Sequence, residues 1–258
     1  HPGTAWELKP GTDLIVQLHL VPTGKPEAIR PRIGLYFTDQ PPALTSTVIQ
    51  LREYDLDIPA GAADHAVEET FTLPIATRVL GVYPHAHYLG KDLQVFAELP
   101  SGQRQGLIRI PDWDFNWQSD YRYVDPLPLP AGTRIVMRYT YDNSAANPRN
   151  PARPPQRVRA GWRSNDEMGE VALQLLLHDS ADRVRLDEAQ ARYDLASGAA
   201  SPAAWYNLAL ALDYQDRPAE AETAYARALA LDPTLSKAAN NLGALAERRG
   251  DLSAALTH

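Results

Sequence analysis

The chain has 258 residues, of which 44 % are apolar and 22 % are charged, and its formal net charge is −7. This composition is typical of globular proteins, excludes a disordered chain, and leaves room for one large domain or two ordinary ones. The negative charge argues against a nucleic-acid partner, because no surplus of basic residues can neutralise phosphates. No apolar run is long enough to span a bilayer, and no signal peptide opens the chain. Both ends look cut, so we expect further sequence on each side.

Residues 1 to about 180 have the pattern of antiparallel β-structure. Short runs of β-branched and aromatic residues alternate with turns rich in proline and glycine, and helical periodicity is almost absent. This pattern predicts a β-sandwich or jelly roll, mainly antiparallel, followed by an all-α segment. The runs predicted to be strands cover residues 13–20, 32–37, 78–83, 92–97, 134–141 and 171–177.

The last 75 or so residues have a different pattern, rich in alanine and with apolar residues spaced by three and four. Leu208 and Leu242 are 34 residues apart, as are Ala221 and Ala255. A period of 34 with these residue types resembles the tetratricopeptide repeat, and we place one repeat and part of a second at 202–258. Such arrays bind other proteins on their concave face, so the resemblance implies a protein partner.

The change of pattern also predicts the domain boundaries. We expect the end of a truncated N-terminal β-domain at 1–28 and a β-sandwich at 29–182. A helix and linker at 183–201 would join it to the repeats at 202–258.

A pair of histidines and a distant methionine are the candidate chemical groups. His85 and His87 are two residues apart, so on a strand both imidazoles would point to the same face and could bind one metal ion. Met137 lies in a predicted strand of alternating pattern, so we expect it to pack in the core. Met168 lies instead in a polar turn. The chain has no cysteine, and a thioether with imidazoles suits copper better than zinc, magnesium or calcium. Two half-buried histidines on a barrel rim and an ordinary core methionine remain alternatives.

The run His85-Ala-His-Tyr-Leu-Gly-Lys, followed some 80 residues later by Asp166-Glu-Met, resembles the C-terminal half of the type II, ascorbate-dependent copper monooxygenases. That family includes peptidylglycine alpha-hydroxylating and dopamine beta-monooxygenases. The resemblance implies that His85, His87 and Met168 bind the copper ion where dioxygen is activated. It implies a monooxygenase that hydroxylates an aliphatic C–H bond with O2 and a reductant such as ascorbate.

Further stretches extend the resemblance over residues 1 to about 180. The run that ends at His19 resembles a strand that carries one histidine of a second copper site, whose other ligands would precede this chain. A second run, Trp113-Asp-Phe-Asn-Trp-Gln, resembles a bacterial branch of the family, and its alternation of Trp113, Phe115 and Trp117 predicts one face of a strand. Enzymes of this family are usually exported, which implies a periplasmic or extracellular location.

Two positions depart from the peptidylglycine enzymes. Tyr83 and Glu170 stand where those enzymes have an arginine and an asparagine that hold the substrate carboxylate. A glutamate would repel a carboxylate, so a peptidylglycine substrate is not expected. Two other hypotheses stay open: a non-catalytic, copper-binding scaffold whose repeats recruit a partner, and a zinc hydrolase that uses His85, His87 and a carboxylate.

Overall fold

Ten strands and five helices form in the described part of the chain. The computed structural model describes residues 3–5, 8, 10–16, 18, 20, 23–179 and 181–255. In chain order the strands are β1 (Thr45–Arg52), β2 (Asp57–Ile58), β3 (His65–Thr72), β4 (Thr77–His85), β5 (Gly90–Glu98), β6 (Arg104–Ile110), β7 (Tyr121–Leu129), β8 (Arg134–Tyr141), β9 (Val158–Arg159) and β10 (Glu170–Leu177). The helices are α1 (Asp182–Ala196), α2 (Pro202–Tyr214), α3 (Pro218–Leu231), α4 (Ser236–Arg248) and α5 (Leu252–Ala255).

Two four-stranded antiparallel sheets form the sandwich. One has the strand order β1-β10-β4-β7 and the other β3-β8-β5-β6, with β2 and β9 as a separate two-stranded ribbon. Alternate residues of both sheets point into one apolar core, to which β4 contributes Val79 and Val82, and β8 contributes Ile135 and Met137. The predicted β-sandwich is therefore confirmed, and Met137 is a core residue with no exposed surface.

Two predicted strands are wrong. The described residues of 13–20 and all of 32–37 lie outside any strand. Their residue types favour strands, but a strand needs a neighbour to satisfy its backbone N–H and C=O groups, and these runs have none among the described residues. Conversely, β7 forms although it contains Pro126 and Pro128, because it lies at the edge of its sheet, where a missing N–H costs little.

The helical part follows the predicted repeat. Ser201 caps α2, since its hydroxyl accepts a hydrogen bond from the Ala204 N–H at 3.1 Å, and Pro202 occupies the first turn. Leu208 and Tyr225 are buried between the helices, and Ala209, with no exposed surface, allows their close approach. No helix among the described residues is both long and apolar enough to cross a membrane.

Helix α1 packs against both parts of the chain. Its residue Leu186 belongs to the sandwich core, and Ala191 belongs to the core of the helical part. The hydroxyl of Tyr193 accepts a hydrogen bond from the Arg52 N–H of β1 at 2.8 Å. On the other side, Glu188 forms an ion pair with Arg217, just before α3, at 2.8 Å. The sandwich and the repeats are thus joined by a packed helix.

Candidate metal site

The paired histidines lie where β4 leaves the sheet. His85 is the last residue of the strand, and His87 follows two residues later in the loop to β5. Ala86, between them, has no exposed surface and packs in the core, while His85 is half-buried and His87 is 4 % exposed. Their ring centroids are 5.2 Å apart. Two imidazoles that bind one metal ion at about 2.0 Å have centroids no more than about 6 Å apart, so this spacing is compatible with a shared ion.

A buried carboxylate connects the histidine loop to the turn that carries the methionine. Glu167 has no exposed surface, and its carboxylate accepts hydrogen bonds from three backbone N–H groups. One donor is His87, the second is Leu89 at 2.9 Å, and the third is Met168 at 2.8 Å. Burial raises the pKa of Glu167 to about 7, although the three amides act in the opposite direction. Residues 80 positions apart in sequence are thereby held together.

Each imidazole has a partner on its Nδ1 atom. His85 Nδ1 lies 2.5 Å from Gln118 Oε1, and the Gln118 amide is itself oriented by a 2.8 Å hydrogen bond to the Phe115 carbonyl. His87 Nδ1 lies 3.0 Å from the Asp166 carbonyl oxygen. Oxygen acceptors at Nδ1 favour the tautomer with the lone pair on Nε2, which is the usual arrangement for a metal-binding histidine. Burial lowers the pKa of His87, and this also favours the neutral, metal-binding form.

The methionine of the site is buried, with 7 % of its surface exposed. Its carbonyl accepts a hydrogen bond from the Tyr141 hydroxyl at 2.9 Å, and a Cβ at Gly169 would lie 2.6 Å from that same hydroxyl oxygen. The Met168 thioether contacts the guanidinium of Arg52, with 3.8 Å between Nη2 and Sδ. Both residues line an open groove of about 310 Å³ on which Trp162 also lies. The backbone of Met168 is thus fixed near the histidines, while its thioether contacts Arg52.

The tryptophan-rich segment 113–118, before β7, packs against the loop that carries His87. Trp113 is buried and donates its indole N–H to the His87 carbonyl at 3.0 Å. A Cβ at Gly90 would lie 2.6 Å from this indole, so the close approach requires glycine. The ring of Phe115 contacts the His87 imidazole edge-on at 5.4 Å. The prediction of one strand face is wrong, because the segment is a loop and Trp117 is 75 % exposed.

The other predicted site residues have different outcomes. His19 lies outside the described residues, so its role in a second copper site stays a prediction. Tyr83 is on β4 and 39 % exposed. The Glu170 carboxylate forms an ion pair with Arg52 at 3.2 Å and accepts a hydrogen bond from the Gln50 side chain. Its charge is therefore neutralised by a neighbouring strand, a feature that local sequence does not reveal.

A zinc site would need a third nitrogen or oxygen ligand beside the two histidines. In the part of the chain that the structure describes, no three His, Asp or Glu side chains are grouped so that they could hold a metal ion. The donor set predicted from the sequence is instead two imidazoles and one thioether, from His85, His87 and Met168. Such a set suits copper(I).

Comparisons with known proteins identify the helical part. Residues 202–235 match the family model of the tetratricopeptide repeat, which confirms the repeat predicted there. No curated protein matches the chain. The nucleoplasmin-like N-terminal domain of Drosophila FKBP39 is similar at 14 % identity and a TM-score of 0.24, over 54 % of this chain and 94 % of that one. The infectious bursal disease virus Gt strain structure is similar at 12 % identity and a TM-score of 0.27, over 58 % and 37 %. Such low scores carry no argument about function.

Proposed function

We propose that the chain is the copper-binding part of a monooxygenase that hydroxylates an aliphatic C–H bond of its substrate. The reaction inserts one atom of O2 into the substrate and reduces the other to water, with two electrons from a reductant such as ascorbate. The observation that carries the proposal is the Glu167 carboxylate, which accepts hydrogen bonds from the amides of His87 and Met168. Burial of a carboxylate costs free energy, so its use to connect two loops with no common function would be unexpected.

The roles of the residues follow from the donor set. His85 and His87 would bind the ion through Nε2, since Gln118 and the Asp166 carbonyl engage Nδ1 of each ring. Met168 would add a weak thioether ligand, which favours the reduced ion. Bound copper would supply the one-electron redox chemistry that activates dioxygen. A second copper ion, held in part by His19, belongs to the proposal for the complete enzyme.

The proposal also covers the partner, the location and the substrate of the enzyme. The tetratricopeptide repeat at 202–235 indicates a protein partner, because such repeats present a binding surface. We place the enzyme in the periplasm or outside the cell, on the family resemblance alone. The substrate is a small molecule or peptide other than a peptidylglycine, since Tyr83 and Glu170 stand where those enzymes have the arginine and the asparagine that hold the substrate carboxylate.

X-ray absorption at the copper edge of the reduced, copper-loaded protein tests the site directly. We expect one copper with two nitrogen ligands and one sulfur ligand. Met168→Ile should lose the sulfur, and His85→Ala or His87→Ala should lose the ion. His178→Ala is the control, because this histidine is exposed at the end of β10. Full copper retention in both site-histidine variants would refute the proposal, and a site without sulfur would remove Met168 from it.

A non-catalytic copper-binding scaffold is the second candidate, and the confirmed repeat is the observation that favours it. The two candidates differ in the uptake of dioxygen. An enzyme should consume O2 with ascorbate in a manner that His85→Ala abolishes and His178→Ala preserves. A scaffold should bind copper through the same residues without any His85-dependent O2 consumption.

A further inference from the structure

The Arg52 guanidinium contacts four side chains beside the candidate site. Its Nη2 atom lies 3.8 Å from Met168 Sδ, and its Nε atom lies 3.2 Å from a carboxylate oxygen of Glu170. Its Cζ atom lies over the rings of Trp162 and Tyr54, at 4.5 and 5.3 Å from their centroids. A guanidinium presents several N–H donors in a rigid plane, so one ion pair fixes the direction of its remaining donors.

Arg52 is also held at its backbone. It is the last residue of β1 and pairs in register with Glu170 of β10, two residues after Met168. Its N–H donates to the Tyr193 hydroxyl at 2.8 Å, and that hydroxyl lies 3.2 Å from its carbonyl oxygen. Only 18 % of the Arg52 side chain is exposed. Neither end of this residue is free to move far.

Methionine contrasts with such a residue because its unbranched side chain has three rotatable bonds. The backbone of Met168 is fixed by hydrogen bonds to Glu167 and from Tyr141, but these bonds do not determine where the thioether points. The contact with Arg52 acts on the sulfur itself. We propose that Arg52 is a positioning residue that sets the direction of the Met168 thioether.

The consequence of this contact for copper binding rests on the proposed function. If Met168 is a copper ligand, a thioether that is already held in one direction loses less conformational entropy when it binds the ion. Partners that orient a metal ligand typically change metal affinity by about 10–100-fold when they are removed. The orientation of the thioether can be measured without any metal, so the inference and the proposed function can fail separately.

The test uses the full chain labelled with [¹³C-methyl]methionine, which has only two labelled residues, Met137 and Met168. Arg52→Lys can keep the ion pair with Glu170 but lacks the second donor that reaches the sulfur. We expect the Met168 methyl resonance to shift or broaden in this variant while the resonance of Met137, in the sandwich core, stays in place. Met168→Ile assigns the two resonances.

Arg138→Lys is the matched control. Arg138 also pairs with a carboxylate, Glu68, at 2.5 Å and lies over an aromatic ring, Phe96, at 5.5 Å, but on the other sheet. It should leave the Met168 resonance unchanged. Arg52→Gln provides a second, uncharged variant if Arg52→Lys fails to fold. A Met168 resonance with wild-type shift and width in a folded Arg52 variant would overturn the inference, whatever the variant does to copper.

Copper(I) titration then adds the functional consequence. Arg52→Lys should lower the copper(I) affinity about 10–100-fold. The double variant with Met168→Ile should lose no more than Met168→Ile alone, because Arg52 acts through the thioether. Additive losses would overturn the inference that Arg52 acts through Met168. If the wild-type chain binds no copper but the Met168 methyl resonance shifts in Arg52→Lys, the proposed function is refuted and the positioning role is supported.

Discussion

Replacement of Glu167 should destabilise the protein far more than replacement of an ordinary surface glutamate. Its carboxylate accepts hydrogen bonds from three backbone N–H groups, those of His87, Leu89 and Met168. Glu167→Ala leaves all three donors buried without an acceptor. Each unsatisfied buried donor costs about 1–3 kcal/mol, so the variant should lose at least about 3 kcal/mol of the free energy of unfolding. A typical domain has a free energy of unfolding of about 5–15 kcal/mol, so the loss is a large share.

Glu167→Gln separates charge from hydrogen bonding. The oxygen of a glutamine can keep the two donors that share Oε1, His87 and Met168, but its NH2 group would then face the N–H of Leu89. One donor instead of three loses its acceptor, so the expected loss is about 1–3 kcal/mol, smaller than for alanine. The geometry therefore predicts that the free energy of unfolding is lowest for Glu167→Ala, intermediate for Glu167→Gln and highest for the wild type.

Urea unfolding followed by tryptophan fluorescence measures these losses on the full chain. Glu68→Ala is the matched control, because Glu68 is 39 % exposed and its ion pair with Arg138 lies at the surface. It should cost no more than about 1 kcal/mol. If Glu167→Ala unfolds within about 1 kcal/mol of the wild type, the three hydrogen bonds do not hold the two loops together. The structural basis of the candidate site would then be wrong.

Three further predictions concern other parts of the chain. Tyr193→Phe should lower the free energy of unfolding by about 1 kcal/mol in urea, because it leaves a partly buried amide donor of β1 without its acceptor, whereas Tyr214→Phe, at an exposed position, should have little effect. Ala209→Leu should cost about 1–3 kcal/mol by overpacking α2, measured by thermal unfolding, and Ala203→Leu, at an exposed position, should not. Burial raises the pKa of Glu69 above its usual 4.5, so its folded form holds a proton more tightly than its unfolded form. Wild-type stability should therefore fall relative to Glu69→Gln as the pH rises above 4.5, and parallel pH profiles would contradict this.

Patterns that recur at a regular spacing in the sequence predict the fold best. Residues 78–83 and 134–141 alternate or are continuously apolar, and both form strands within the sandwich. The period of 34 residues predicts the helical repeat because small and large residues must recur wherever two helices meet. The strand β7 escapes such patterns, since its prolines suggest a loop and only its position at the sheet edge makes them tolerable.

The candidate site could be predicted only in part. His85, His87 and Met168 stand out by residue type and by family resemblance, but Glu167 looks like one more polar residue of a turn. Its burial depends on amides that lie 80 residues earlier, and no local pattern encodes that distance. The same holds for Arg52, whose sulfur contact arises from the pairing of β1 with β10.

Helix α1 has a consequence for any protein that the repeats capture. A flexible linker would let a bound partner explore a volume around the sandwich, and its effective concentration at any one surface would depend on linker length. Because Leu186 lies in one hydrophobic core and Ala191 in the other, the repeats cannot swing independently without exposing apolar surface. A captured partner is therefore presented to the sandwich in one orientation. Repeats taken from another protein should preserve that orientation only if they pack against α1 as these repeats do.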